Sequence, residues 1–226
     1  MPLTVTSIGK IGTSAGNISI AFPAYAQTAG HTIVVVTETY DPSGHISSIT
    51  DTAGNTYTGI FAGDGFINGG SVHLQMWYIS NCAGNAANVI TINYSTAHDF
   101  STAAAFDVSG ATAIGPDARV TNSGSGAAAA SAAYTTTIAD AALFAMVSTV
   151  SGGLTATAVD SGFTFDGVGV GNGTNLTGFA HKVVTTIQTA QVVTFTNNST
   201  AWNTIFVSFS GGAITATPKS VIIITL

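Results

Sequence analysis

The sequence predicts an all-β fold, an antiparallel, jelly-roll-like β-sandwich with an internal pseudo-duplication. Three observations predict it. Apolar residues alternate with polar ones along most of the chain, and β-branched and aromatic stretches are set between clusters of Gly, Asn, Asp and Ser. No segment carries a sustained helical stripe with capping residues. Finally, apolar runs and turn sequences of the first half return in the second.

Taken in order, strands are expected near 3–8, 18–22, 32–40, 47–50, 57–61, 72–80, 89–94 and 101–108. The second half follows with 134–138, 143–150, 156–159, 164–168, 178–187, 192–196 and 204–209, and 221–226 closes the chain. The alanine run 127–133, interrupted by Ser131, favours a helix by propensity. Its Gly/Ser-rich flank, Ser123 to Gly126, makes it a loop or edge strand between halves instead.

The halves are aligned by their apolar runs. Ile33-Val34-Val35-Val36 and Leu143-Phe144-Ala145-Met146 are near-continuous, as expected of a central strand covered on both faces. Each is followed by an Asp-containing turn, Asp51-Thr52-Ala53-Gly54 in one half and Asp160-Ser161-Gly162 in the other. Later, Ser95-Thr96-Ala97 and Ser199-Thr200-Ala201 each precede an apolar strand ending in Ser-Gly, at Ser109-Gly110 and Ser210-Gly211. The expected organisation is one sandwich over 1–212, with repeated halves at about 30–110 and 140–211 closing face to face. Two tandem domains are the alternative.

The tail 213–226 differs in character. Val221, Ile222, Ile223, Ile224 and Leu226 make a β-branched, uncharged strand, and an unpaired strand of that kind aggregates. It either pairs with its own sheet or adds to the sheet edge of a neighbouring subunit, and these five residues are the candidate interface.

Charged residues make up only 6% of the chain while apolar ones make up 46%, so Thr, Ser, Asn and Gly supply the polarity. Interfaces are depleted in charge at their centres, so such a surface suits burial against other subunits. Net charge is -6, and the four basic residues, Lys10, Arg119, Lys182 and Lys219, are scattered. Nucleic acid and anionic membranes are therefore not expected partners, because both require clustered cations. Cys82 is the single cysteine and is expected to serve packing. Met1 leads directly into an alternating pattern without a basic or apolar leader, so no signal peptide is expected, and the product is made in a cytoplasm and either kept there or released by a route other than general secretion.

Reaction chemistry has little to stand on. No Gly-x-Ser-x-Gly elbow joins a strand to a helix. Nine aspartates and one glutamate, Glu38, do not form an opposed acid pair, and most aspartates sit in turn contexts that cap their own backbone. A calcium cage of turn oxygens is the minority alternative. His31, His45, His73, His98 and His181 lack zinc spacing, and His73 and His181 are expected to face outward from strands. No cofactor, metal or catalytic residue is assigned. Trp77 and Trp202 are expected in the core, and if exposed they are the glycan-stacking candidates.

Four segments carry a resemblance: Ser48 to Thr58 with its Asp-Thr-Ala-Gly-Asn turn, Met76-Trp77-Tyr78-Ile79, Asn88-Val89-Ile90-Thr91, and Ala104 to Gly110. In this order they resemble a β-sandwich module of bacteriophage structural proteins and bacterial surface proteins, over about 32–110 with a weaker echo to 211. This chain has Phe106-Asp107-Val108 where the module usually carries a glutamate. The resemblance implies a non-catalytic virion component, such as a capsid decoration or cement protein or a related tail part. It implies partners among copies of itself and other virion proteins, such as a major capsid or tail protein. A receptor- or carbohydrate-binding adhesin module of a phage tail or bacterial surface is the alternative, with a glycan as its ligand.

Overall fold

The architecture follows from which apolar residues must be covered, and it is described from a computed structural model over residues 3–40, 45–60, 72–110, 114–149, 159–169, 177–197 and 201–210. The first half contributes β1 (Thr4–Ala21), β2 (Tyr25–Gln27), β3 (Thr32–Tyr40), β4 (Ile46–Asp51), β5 (Thr58–Gly59), β6 (Val72–Ile79), β7 (Asn85–Asn88) and β8 (Ile90–Ser109). The second contributes β9 (Gly115–Ser125), β10 (Ala128–Ala130), β11 (Asp140–Thr149), β12 (Thr164–Val168), β13 (Thr177–Thr185), β14 (Thr194–Thr196) and β15 (Ala201–Ser210). No helix occurs among the described residues.

The strands form two large antiparallel sheets. One runs β1-β8-β3-β6-β5, with β4 also on β8, and the other runs β12-β13-β11-β15-β9. Two small ribbons, β2-β7 and β10-β14, complete the set. Each large sheet therefore draws its strands from one continuous stretch of chain.

β3 and β11 are buried nearly end to end, and the three apolar clusters give the reason. Val34, Val36, Leu74, Met76 and Phe106 of the first sheet pack against Phe144, Met146, Phe179, Ile205 and Val207 of the second. The outer face of the first sheet, with Ile33, Val35, Ala103 and Ala105, is covered by Ile49, Ile90 and Ile92 from β4 and the start of β8. The outer face of the second, with Leu143, Ala145 and Phe206, is covered by Ala129, Tyr134, Val193 and Phe195. A strand at the centre of either sheet thus meets apolar layers above and below, which its unbroken apolar run requires.

Several expectations change in detail. The segments expected at 89–94 and 101–108 are one strand, β8, of 20 residues. Fully extended it would reach roughly 65 Å, longer than a sandwich layer is wide, and register shifts in its partner β1 near Ser14, Asn17 and Ser19 mark the bend. The start of β8 then folds over the sheet that its end helps to build. No strand was expected between 108 and the alanine run, yet β9 pairs with β15 from Ser125 to Gly115. The alanine run supplies β10, an edge strand on β14. The expected strand at 134–138 is reduced to a single bridge between Tyr134 and Gln191.

Trp202 stands opposite Gly124 in the β15-β9 register. A Cβ built on Gly124 would lie 2.6 Å from Trp202 Cζ2, so the indole occupies the space of the missing side chain. Gly124→Ala is expected to displace the ring and cost roughly 1–3 kcal/mol as an overpacked site. Urea unfolding of the variant measures it.

Candidate functional site

The densest polar constellation is built on the turn after β4. Asp51 Oδ1 accepts the Asn55 backbone N–H at 2.9 Å, and Oδ2 accepts Asn55 Nδ2 at 2.7 Å, the Tyr57 hydroxyl at 3.0 Å and Asn88 Nδ2 at 3.1 Å. Asn88 in turn donates to Gln27 Oε1 at 2.6 Å, while its Oδ1 accepts from the Thr52 hydroxyl and the Ala53 N–H, both at 3.0 Å. Asn55 Oδ1 takes the Ala83 N–H at 2.8 Å. Four chain segments are thereby pinned to one carboxylate.

Burial alone would raise the Asp51 carboxyl, but the donors from Asn55, Asn88 and Tyr57 outweigh it and hold the group below its ordinary value. The same pocket raises the Tyr57 and Tyr25 hydroxyls, chiefly by burial. Three of the four donors converge on Oδ2 and one engages Oδ1, so the carboxylate serves as the acceptor that holds this turn. Gly54, at a φ of 77°, closes the turn in the left-handed region.

Cys82 lies near this network and is 2% exposed. Its thiol donates to the Thr28 carbonyl, and burial pushes it up to about 11, away from thiolate character. Packing, as expected, is its role.

Among the described residues two histidine–aspartate pairs occur, one in each half. His31 Nδ1 is 2.7 Å from Asp107 Oδ1, and His181 Nδ1 is 2.8 Å from Asp166 Oδ2. Burial raises the Asp107 carboxyl, with His31 opposing the shift. His181 does not face outward as expected. Its direct partner on β11 is Phe144, its ring lies 5.9 Å from that of Phe106, and both phenylalanines belong to the inter-sheet core. His73 is also turned inward, at 8% exposure.

The tryptophans divide. Trp202, at 6% exposure, is part of the cluster with Tyr134 and Phe206; it lies in the core, as expected, and is not placed to stack on a glycan. Trp77 is half-buried over Gly59, its strand neighbour, with its face against the first-half cluster. The interface candidates Val221, Ile222, Ile223, Ile224 and Leu226 lie outside the described residues. No group of three or more metal-ligating side chains occurs among the described residues.

One open groove of about 350 Å³ runs between the edges of the two sheets, lined by Thr58, Gly59, Ile60, Tyr78, Asp117 and Arg119. Arg119 Nη1 donates to the Ile60 carbonyl at 3.0 Å and links the edges. The Asp117 carboxylate accepts from the Thr137 N–H and hydroxyl. Nothing in the residue order marks this groove, because β5 and β9 meet there only in three dimensions.

Comparison of the chain with protein-family models, with curated proteins and with solved structures finds no match.

Proposed function

We propose that the chain is a non-enzymatic structural part of an assembly, a virion component of the capsid decoration, cement or tail kind suggested by its resemblance to phage modules. The observation that carries this reading is a sequence with 6% charged residues and many hydroxyl and amide side chains. Such surfaces are buried against neighbours at little desolvation cost. Among the described residues, Asp51 is engaged in a turn, Cys82 in the core, and His31 and His181 on their aspartates.

We read the finer architecture as two wound copies of one unit. The order β1-β8-β3-β6-β5 maps onto β9-β15-β11-β13-β12 with the chain running in the same sequence through both. The pairing of β1 with the start of β8 corresponds to β10 with β14. Each copy closes its own sheet before meeting the other, so repetition, more than the interleaving that names a jelly roll, is the organising feature.

The partners are copies of this chain and other virion proteins, and the tail 213–226 is the proposed intersubunit strand. Light scattering on the full chain and on a chain ending at Gly212 tests this. A full-length oligomer that becomes a folded monomer on truncation supports the tail as the link; a full-length oligomer unchanged by truncation removes it.

The second reading, a glycan-binding module, gains one observation. The edge groove combines an aromatic ring, Tyr78, with Arg119 and Asp117, a set suited to stacking and hydrogen bonding with a sugar.

A further inference from the structure

Five fully buried polar side chains lie in the inter-sheet layer, beyond its apolar part. Glu38 on β3 continues the row of Val34 and Val36 that faces the second sheet, with Thr102 of β8 opposite it. On the facing sheet Ser148 of β11 continues the row of Phe144 and Met146, with Thr177 of β13 on one side and Asn203 of β15 on the other. Directly opposed residues on neighbouring strands share a face, so Thr177, Ser148 and Asn203 form one transverse row on the side of Glu38. All five residues are 0% exposed.

The Ser148 hydroxyl donates to Glu38 Oε1 and ties the sheets together. Glu38 Oε2, Thr177 Oγ1 and both polar atoms of the Asn203 amide have no hydrogen-bond partner among the described residues. Polar atoms so deeply buried are normally satisfied, and leaving them bare costs stability. Their kinds are mixed: the amide nitrogen donates, the amide oxygen accepts, and the threonine hydroxyl does both. A cation needs acceptors alone, whereas water satisfies a mixed set with two to four partners.

We propose that Glu38, Ser148, Thr177 and Asn203 enclose a site for internal water in which Glu38 is kept as the neutral acid, so that the docking of the two sheets depends on its proton. The surroundings agree. Glu38 is flanked by Leu74 and Thr102 in its sheet and faces Ser148 across it. Among the described residues, the titratable groups turned to the same layer are Tyr40 on β3, Tyr78 on β6, Lys10 opposite Ala104 on β1, Arg119 opposite Val207 on β9 and held to the Ile60 carbonyl, and His181 with Asp166. The Lys10 amine is occupied at 2.6 Å by the Asp166 carbonyl, and the His181 ring by the Asp166 carboxylate, so neither side chain is bonded to Glu38. Burial pushes Glu38 up to about 8, opposed only by the Ser148 hydrogen bond.

The sign follows from linkage. The unfolded chain gives up this proton near the ordinary value of 4.5 and the folded chain near 8, so the contribution is whole below 4.5 and is lost as pH rises through 8. Within that window the folding equilibrium constant falls by about tenfold per pH unit from this group.

Glu38 is the only glutamate, so selective ¹³C-glutamate labelling gives a single side-chain carboxyl resonance. The expected result is a midpoint far above the ordinary carboxylate range, cross-relaxation from a bound water to the Asn203 side-chain amide, and a pH slope of stability that Glu38→Gln reduces by about one proton between the ordinary and folded values. A midpoint in the ordinary range, or a slope unchanged in Glu38→Gln, overturns the neutral acid; an Asn203 amide without a water signal overturns the water site. Should Glu38→Gln fail to fold, the titration and the water signal on the native chain decide alone.

Discussion

Phe144→Ala is expected to remove about 4 kcal/mol of folding stability, the loss typical of a large-to-small change that leaves a cavity in a packed core. Phe144 is 0% exposed, and its ring centroid lies 5.2 Å from that of Phe106 in the facing sheet and 5.7 Å from that of Phe209 beside it. The ring therefore belongs to the layer that holds the two halves together, and no neighbour can close the gap without breaking strand register. Urea unfolding followed by intrinsic fluorescence measures the loss. Ile187, 54% exposed, is the control, and its alanine variant is expected to stay within about 0.5 kcal/mol of the parent.

Asp51→Ala is expected to cost about 3 kcal/mol, because it strands four donors on Asn55, Tyr57 and Asn88 at once. Hydrogen bonds to a charged acceptor contribute roughly 1.5–3 kcal/mol each, and the partial exposure of this turn argues for the lower part of the additive range. The pH dependence has the opposite sign to that of Glu38. The folded value of Asp51 is lowered, so its contribution is present above the ordinary carboxylate value of 3.8 and is lost as pH falls through the folded one. Acid unfolding of Asp51→Asn, compared with the parent chain, should show a weaker dependence on pH below that value.

The fold was legible where one residue pattern had one structural solution. The runs beginning at Ile33 and Leu143 are apolar without alternation, which only a doubly covered strand accommodates, and β3 and β11 are such strands. β9 was illegible because Gly115, Pro116, Asp117, Asn122, Ser123 and Gly124 carry turn propensity. Its strand geometry comes from the backbone partners that β15 offers, and an edge position tolerates a proline near its start. The Ser95 to Phe100 stretch reads as a turn for the same reason, yet pairing along β1 carries β8 through it.

The site residues divide by the same logic. Asp51 was recognised as a turn cap from Asp-Thr-Ala-Gly-Asn, since the donors lie close in sequence, while Asn88 and Gln27 reach it from distant segments. The inward turn of His181 was within reach, because it shares the phase of Phe179 and Val183, both on the inter-sheet face. Trp202 depends on Gly124, a neighbour 78 residues earlier that only the β15-β9 register reveals. The polar row beside Glu38 likewise exists only once two sheets are set face to face.

The central proposal is that this chain works by burying low-charge surface against other copies and lattice partners. Sedimentation equilibrium of the full chain at low and high salt tests it most directly. The account predicts a defined oligomer whose association is undiminished by salt, because few charges contribute to it. A chain that stays monomeric at every concentration and salt level would contradict it.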